Sequence, residues 1–133
     1  MVLYADSSAL MKRYVVEHDS AVADSLLASD PVLATSRLTE VEVRRSLARI
    51  LEGTDAVSAK RQFLEDLDAF ALVAIDATIC NDAARIAEQT GCRSLDSIHI
   101  ASALRAGAKT TFLTFDVRQA NAARSMGLTV IGT

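Results

Sequence analysis

The sequence has no tryptophan, and aromatic residues make up only 5% of its 133 positions. Half of the residues are nonetheless hydrophobic and 23% are charged, which excludes a disordered chain and predicts a globular one with an aliphatic core. A single proline and five glycines leave no room for a flexible linker. A chain of this length is expected to form one domain, residues 1–133.

Basic residues are also in short supply. Fourteen lysines and arginines stand against 17 aspartates and glutamates, which gives a formal net charge of −3. This balance excludes a protein that holds nucleic acid through a broad basic surface. It leaves open a protein that contacts phosphate groups through bound metal ions.

Cysteines and long apolar segments are scarce as well. Cys80 and Cys92 stand apart with no other cysteine near either, which excludes a zinc site and a disulfide framework and predicts two buried free thiols. The longest uncharged apolar run, AFALVAI, is far shorter than the roughly 20 residues of a membrane-spanning helix. The first residues, MVLYADSSAL, lack the basic and apolar regions of a signal peptide, so we expect a cytoplasmic protein without a membrane partner.

Five short apolar runs rich in β-branched residues are present. None of them alternates cleanly with polar residues, so we predict strands buried on both faces, as in a parallel sheet. The predicted strands are VLYA (2–5), VLAT (32–35), ALVAI (71–75), TTFLTF (110–115) and LTVI (128–131).

Helix-like segments fill the gaps between the predicted strands. Repeated strand–helix–strand alternation predicts an α/β three-layer sandwich with a central five-stranded parallel sheet. Four glycines stand where helices should end. The predicted helices are 7–17, 20–28, 37–52, 55–70, 77–90, 95–106 and 118–126, and the glycines are Gly53, Gly91, Gly107 and Gly127.

Two of the predicted strands are followed directly by aspartates, Asp6 and Asp116. Ligands of parallel α/β sheets bind beyond the carboxyl ends of the strands, so two neighbouring strands of this kind would place both carboxylates in one crevice. Each aspartate is also explained as the N-cap of the helix that follows it, although Ser7 and Ser8 could cap the first helix in place of Asp6. Both interpretations stay open on the sequence alone.

Further carboxylates lie on predicted helices. Asp96 is in the first turn of its helix, where Ser94 is the better N-cap and leaves the carboxylate free to project. Glu40 and Glu42 are about 200° apart around their helix, so only one of them faces a given site, and periodicity leaves the choice open.

Carboxylates gathered in one crevice repel each other. Two unit charges about 4 Å apart cost roughly 4 kcal/mol at an effective dielectric of about 20, unless they take up protons or bind a cation. Ligation by oxygen alone suits Mg²⁺ or Mn²⁺. Metal sites of this kind usually catalyse the hydrolysis or transfer of phosphate esters.

Four motifs together resemble those of the PIN-domain family, and they look most like its VapC-type toxins. They are LYADSSALMKRY, TSRLTEVEVRRSLARI, LDSIHIASAL and FLTFDVRQANAARSMGLTVI, in the family's order over nearly the whole chain. The resemblance implies a sheet of strand order 3-2-1-4-5, in which the first and fourth strands are neighbours. It also implies four catalytic and metal-binding positions: Asp6, Glu42 rather than Glu40, Asp96 and Asp116.

The same resemblance implies an endoribonuclease that uses Mg²⁺ or Mn²⁺ to hydrolyse phosphodiester bonds in RNA, with tRNA or ribosomal RNA as the expected substrate. A cognate antitoxin and a homodimer are the expected protein partners.

His99, three residues after Asp96, is interpreted as a structural, hydrogen-bonded side chain near the core. Arg93 and Arg118 are among the cations that could steer RNA to the site.

Two other functions fit parts of the pattern. A housekeeping PIN-type nuclease would need no antitoxin, and a gene for a short DNA-binding protein directly upstream would favour the toxin instead. A non-catalytic phosphoacceptor domain also gathers aspartates at strand ends. It requires a lysine after the last strand, and the segment LTVIGT (128–133) contains none.

Overall fold

The computed structural model describes residues 2–133. Its five strands form one parallel sheet in the order β3-β2-β1-β4-β5, which confirms the predicted α/β class and strand order. The strands are β1 (Val2–Ala5), β2 (Leu33–Ser36), β3 (Ala71–Val73), β4 (Thr110–Leu113) and β5 (Thr129–Ile131).

Seven helices lie between the strands in this part of the chain. They are α1 (Ser7–Tyr14), α2 (Ser20–Leu27), α3 (Arg37–Ile50), α4 (Gly53–Ala69), α5 (Ala77–Thr90), α6 (Ser94–Ala106) and α7 (Val117–Ser125). Among residues 2–133, no helix combines the length and the apolar character that crossing a bilayer requires.

The ends of the predicted elements shift by a few residues. The first helix ends at Tyr14 rather than Glu17, because the backbone becomes extended at Val15. The third and fourth strands end at Val73 and Leu113, two residues before their predicted ends. Sequence patterns locate these elements well and their boundaries less well, because the apolar runs continue past the last paired residues, Val73 and Leu113.

Glycines end two helices as predicted. Gly91 caps α5 with a φ of 73°, a left-handed conformation that glycine adopts without strain, and Gly107 follows α6. Gly127 stands one residue beyond Met126, the C-cap of α7. Gly53 is the first residue of α4, so the prediction that it ends the preceding helix is wrong.

Apolar side chains cover both faces of the sheet. Helices α1 to α4 pack on one face against Leu3, Ala5 and Leu113, and helices α5 to α7 pack on the other against Tyr4 and Phe112. The central strands β1, β2 and β4 are mostly buried, whereas the edge strands β3 and β5 are only partly buried. The expectation of strands buried on both faces therefore holds for the three central strands.

Both cysteines are free thiols, as predicted, but neither is fully buried. Cys80 is exposed on α5, because the buried stripe of that helix consists of Ile79, Ala83 and Ile86. Cys92 is half-buried in the connection between α5 and α6.

The two neighbouring central strands, β1 and β4, end side by side. Ala5 is level with Leu113 in the ladder, and the backbone N–H of Asp6 donates to the Leu113 carbonyl at 3.2 Å. The residues that follow, Asp6 and Thr114, therefore leave the sheet together. The strand order reverses at this pair, which is where parallel sheets form ligand sites.

Tyr4 connects this part of the sheet to α6. Its buried ring stacks on Phe112 with the ring centroids 5.4 Å apart. Its hydroxyl lies 2.7 Å from Nδ1 of His99, which is only 2% exposed. His99 is thus a buried, hydrogen-bonded side chain, as the sequence predicts.

We expect Tyr4→Phe to lower the free energy of unfolding by about 1–3 kcal/mol, because the buried Nδ1 of His99 loses its hydrogen-bond partner. Tyr14→Phe is the matched control. The Tyr14 hydroxyl donates to Asp66, which keeps a second partner in Arg13, so a loss below about 1 kcal/mol is expected. Urea unfolding of the two variants measures the difference, and equal losses would contradict this role for Tyr4.

Candidate active site

Three acidic side chains stand at the N-terminal ends of three helices. Asp6 and Asp116 are the N-caps of α1 and α7, and their side chains accept backbone N–H groups of those helices. Asp96 lies in the first turn of α6. Asp6 and Asp116 therefore cap helices and also belong to the candidate site, so the two interpretations of these residues are compatible. The positive ends of the three helix dipoles favour negative charge at this position.

The start of α6 differs from the prediction. Arg93, with an extended backbone (φ −68°, ψ 155°), is its N-cap, and Ser94 is the first helical residue. The Arg93 side chain makes no capping hydrogen bond to the backbone of α6. The side chain of Arg93 extends instead toward the carboxylates.

Asp6 is buried, with 3% of its surface exposed. Its Oδ1 accepts from the Ala9 N–H at 2.9 Å and from Ser8 Oγ at 2.8 Å, and its Oδ2 accepts from Thr114 Oγ1 at 2.6 Å. Burial still raises the pKa of Asp6 above its ordinary value, against the opposing effects of His99 and these hydrogen bonds. A cation beside this carboxylate would stabilise its charged form.

Arg93 bridges the other two aspartates. Its Nε lies 3.1 Å from Asp96 Oδ2, and its Nη2 lies 3.2 Å from Asp116 Oδ2. Neutral donors hold the remaining oxygens. Gln119 Nε2 donates to Asp96 Oδ1 at 3.1 Å, and the N–H groups of Arg118 and Gln119 donate to Asp116 Oδ1. Each carboxylate therefore has one oxygen fixed by neutral groups and the other turned toward a cation.

Gln119, which the sequence analysis did not single out, connects the aspartates. It is 2% exposed, and its Oε1 lies 3.1 Å from Thr114 Oγ1. Thr114 has one hydroxyl hydrogen, and the shorter 2.6 Å distance assigns it to Asp6. A signal for Gln119 exists in the sequence, because it stands three residues after the N-cap Asp116, the spacing at which a capping-box side chain turns back.

Glu42 approaches the aspartates from α3. Its Oε1 lies 2.6 Å from His99 Nε2, and it lines a cavity of about 390 Å³ together with Arg93 and Asp96. Glu40 instead pairs with Arg37 and Arg44 on its own helix, at 3.4 and 3.5 Å. Of the two glutamates, Glu42 therefore faces the cavity that Asp96 lines.

The structure joins Asp6, Asp96 and Asp116 in one hydrogen-bonded network and sets Glu42 at its margin. Within residues 2–133, no group of three or more His, Cys, Asp and Glu side chains could hold a metal ion as the side chains stand. Arg93 takes the two oxygens that such a group would use. The donor set still fits Mg²⁺ or Mn²⁺, because it offers carboxylate oxygens only, and two of the carboxylates, Asp6 and Asp96, are buried.

This chain is similar to a known protein family and to a ribonuclease of known name. The family model for the PIN domain matches residues 3–125. Ribonuclease VapC35 of Mycobacterium tuberculosis is 38% identical over 136 residues, which cover 98% of this chain and 96% of that protein.

Solved structures match as well. VapC20 of Mycobacterium tuberculosis, described as a toxin that cleaves the sarcin–ricin loop, superposes with a TM-score of 0.75 at 18% identity over 98% of both chains. A chain of a toxin–antitoxin complex from Klebsiella pneumoniae superposes with a TM-score of 0.70 at 17% identity, over 90% of this chain and 89% of that one. At these identities the matches establish the fold alone.

The burial of Asp6 predicts how its replacement changes stability with pH. Because its folded-state pKa is raised, the folded protein binds more protons than the unfolded chain at pH values just above the ordinary aspartate pKa of about 3.9. Stability contributed by Asp6 is therefore lost as the pH rises through that range. Asp6→Asn escapes this loss, so its unfolding free energy relative to wild type should increase from about pH 4 to about pH 7.

Asp76→Asn is the matched control, because Asp76 also caps a helix but is exposed. The N–H of Ile79 and the guanidinium of Arg105 lower the pKa of Asp76. The stability that Asp76 contributes is present above the ordinary aspartate pKa and is lost as the pH falls. The unfolding free energy of Asp76→Asn relative to wild type should therefore decrease from about pH 4 to about pH 7. Urea unfolding at both pH values checks the opposite slopes. If the unfolding free energy of Asp6→Asn relative to wild type decreased between about pH 4 and about pH 7, the burial of a charged Asp6 carboxylate would be contradicted.

Proposed function

The chain belongs to the PIN-domain family, and on that premise we propose that it is a Mg²⁺- or Mn²⁺-dependent endoribonuclease that acts as the toxin of a toxin–antitoxin pair. The match to ribonuclease VapC35 over 98% of the chain supports the ribonuclease activity. The fold match to a toxin–antitoxin complex supports an antitoxin partner. The proposed nuclease is a single domain that acts in the cytoplasm.

One observation carries the proposed chemistry. Asp96 and Asp116 turn one oxygen each toward the same cationic group, at 3.1 and 3.2 Å, while neutral donors hold their other oxygens. Buried Asp6 joins them through Thr114. Carboxylates fixed in this way are preorganised for a cation, because little side-chain entropy is left to lose when the cation binds.

We assign Asp6, Asp96 and Asp116, with Glu42, as the residues that would hold the ion. Bound Mg²⁺ or Mn²⁺ would supply Lewis acidity toward a phosphate oxygen and lower the pKa of an attacking water. His99 Nε2 holds Oε1 of Glu42 beside the cavity that Asp96 lines. In the proposed hydrolysis the water oxygen bonds to phosphorus and the bond to O3′ breaks, which leaves a 5′-phosphate and a 3′-hydroxyl.

The proposed substrate is structured RNA, with tRNA or ribosomal RNA as the expected class. The description of VapC20 as a toxin that cleaves the sarcin–ricin loop supports ribosomal RNA. The net charge of −3 fits a nuclease that meets phosphate through a cation rather than through a basic surface. We further propose a homodimer bound by its antitoxin.

RNA cleavage by the purified protein tests this function. Cleavage should require added Mn²⁺ or Mg²⁺, stop with EDTA and leave 5′-phosphate ends. Asp6→Asn should lower the cleavage rate at least about 100-fold, because the ion contributes several kcal/mol to the transition state. Cleavage that continues undiminished in EDTA would end the metal-dependent proposal.

The pair Glu42→Gln and Glu40→Gln supplies a matched control on the same helix. Both changes remove one negative charge from α3, but only Glu42 lines the cavity next to Asp96. We expect at least about a tenfold loss of rate for Glu42→Gln and less than about a twofold change for Glu40→Gln, because a group outside the site contributes little to the barrier. A larger loss for Glu40→Gln would overturn the assignment of Glu42.

A further inference from the structure

Arg93 stands between two cavities at the carboxylates. One, of about 580 Å³, is bounded by the C-terminal end of α5, the start of α6 and one side of α7, and Arg118 also lines it. The other, of about 390 Å³, contains Glu42. Arg93 and Asp96 line both cavities, so both spaces border the ion pair of Arg93 and Asp96.

The contacts of Arg93 are directed at oxygens that a metal ion would need. Its guanidinium bonds Oδ2 of Asp96 and Oδ2 of Asp116, whereas neutral donors already occupy Oδ1 of both residues. One guanidinium thus spans two carboxylates that lie 20 residues apart in sequence, by way of two different nitrogens. A divalent ion and Arg93 would therefore use the same two oxygens.

The side chain of Arg93 is free to leave this position. Its exposed fraction is 68%, and it makes no capping bond to α6. Solvent reaches the exposed guanidinium and screens its ion pairs with the less exposed carboxylates of Asp96 and Asp116. Arg93 also stands at the N-cap, where the flexible side chain can turn into either cavity without moving the helix.

We propose that Arg93 is an exchangeable internal counter-ion that neutralises Asp96 and Asp116 in the metal-free protein and must be displaced when a divalent ion binds. The inference rests on the metal-dependent function proposed above. Arg93 keeps the carboxylates together and aligned before the ion arrives, and it lowers the affinity of the site for that ion. Removal of Arg93 therefore makes the metal bind more tightly.

Mn²⁺ titration of the metal-free full-length chain by calorimetry tests this inference without any measurement of activity. Arg93→Gln should bind Mn²⁺ about five- to tenfold more tightly than wild type, and a tenfold change corresponds to about 1.4 kcal/mol. Arg93→Lys should fall between the two, because lysine keeps the charge but lacks the planar fork that spans two carboxylates.

Arg118→Gln is the matched control. Arg118 lines the same cavity as Arg93, so this change removes the same charge from the same region and leaves both Arg93 ion pairs in place. Its effect on Mn²⁺ affinity should stay below about twofold, because solvent and salt screen an exposed charge that does not touch the carboxylates.

The outcomes separate this inference from the proposed function. Tighter binding by Arg93→Gln than by both wild type and Arg118→Gln supports the counter-ion. Equal or weaker binding by Arg93→Gln overturns the counter-ion and leaves the metal site intact. Failure of wild type and Arg93→Gln alike to bind Mn²⁺ overturns the metal site, and the counter-ion with it. Circular dichroism of each variant confirms that the fold persists.

Discussion

Negative charge collected at the carboxyl ends of β1 and β4 is the constraint around which this site is built. Three aspartates share one network, and at close range each pair of like charges costs several kcal/mol at the effective dielectric of a protein. Three features oppose that cost: the N-terminal ends of α1, α6 and α7, the hydroxyl and amide donors around Asp6 and Asp96, and the guanidinium of Arg93. Burial acts in the other direction and raises the pKa of Asp6.

The core of the fold holds these groups in position through two sets of hydrogen bonds. At the end of β4, the Thr114 hydroxyl donates to Asp6 and accepts from the Asp116 N–H, and Gln119 donates to both Asp116 and Asp96. Tyr4 and His99 form the second set. The Tyr4 hydroxyl orients the His99 imidazole, and the imidazole contacts Glu42. Since the ring of Tyr4 is stacked in the core of the sheet, packing and site geometry are mechanically connected. This connection explains how a site with few charged partners keeps a defined shape.

Much of this arrangement is predictable from sequence, and the remainder depends on contacts that have no local pattern. Buried strands and amphipathic helices follow from the spacing of apolar residues. Asp6 and Asp116 were candidates from their position after β1 and β4, but the strand order that places them side by side came from the family resemblance. The choice of Glu42 over Glu40 came from the family resemblance, because helical periodicity leaves both faces plausible. Its partner His99 is 57 residues away in sequence. Arg93 was predicted only as a cation near the site, and its two ion pairs depend on how α6 and α7 start beside each other.

The proposed metal-dependent function requires that the aspartates share a divalent-ion site once Arg93 has been displaced. The most direct measurement is anomalous diffraction from crystals of the protein soaked in Mn²⁺. We predict a single strong peak, or a close pair, in contact with Asp6, Asp96 and Asp116, with the Arg93 guanidinium moved away from both Oδ2 atoms. A Mn²⁺-saturated crystal without a peak at these carboxylates, and with Arg93 still bonded to Asp96 and Asp116, would contradict it.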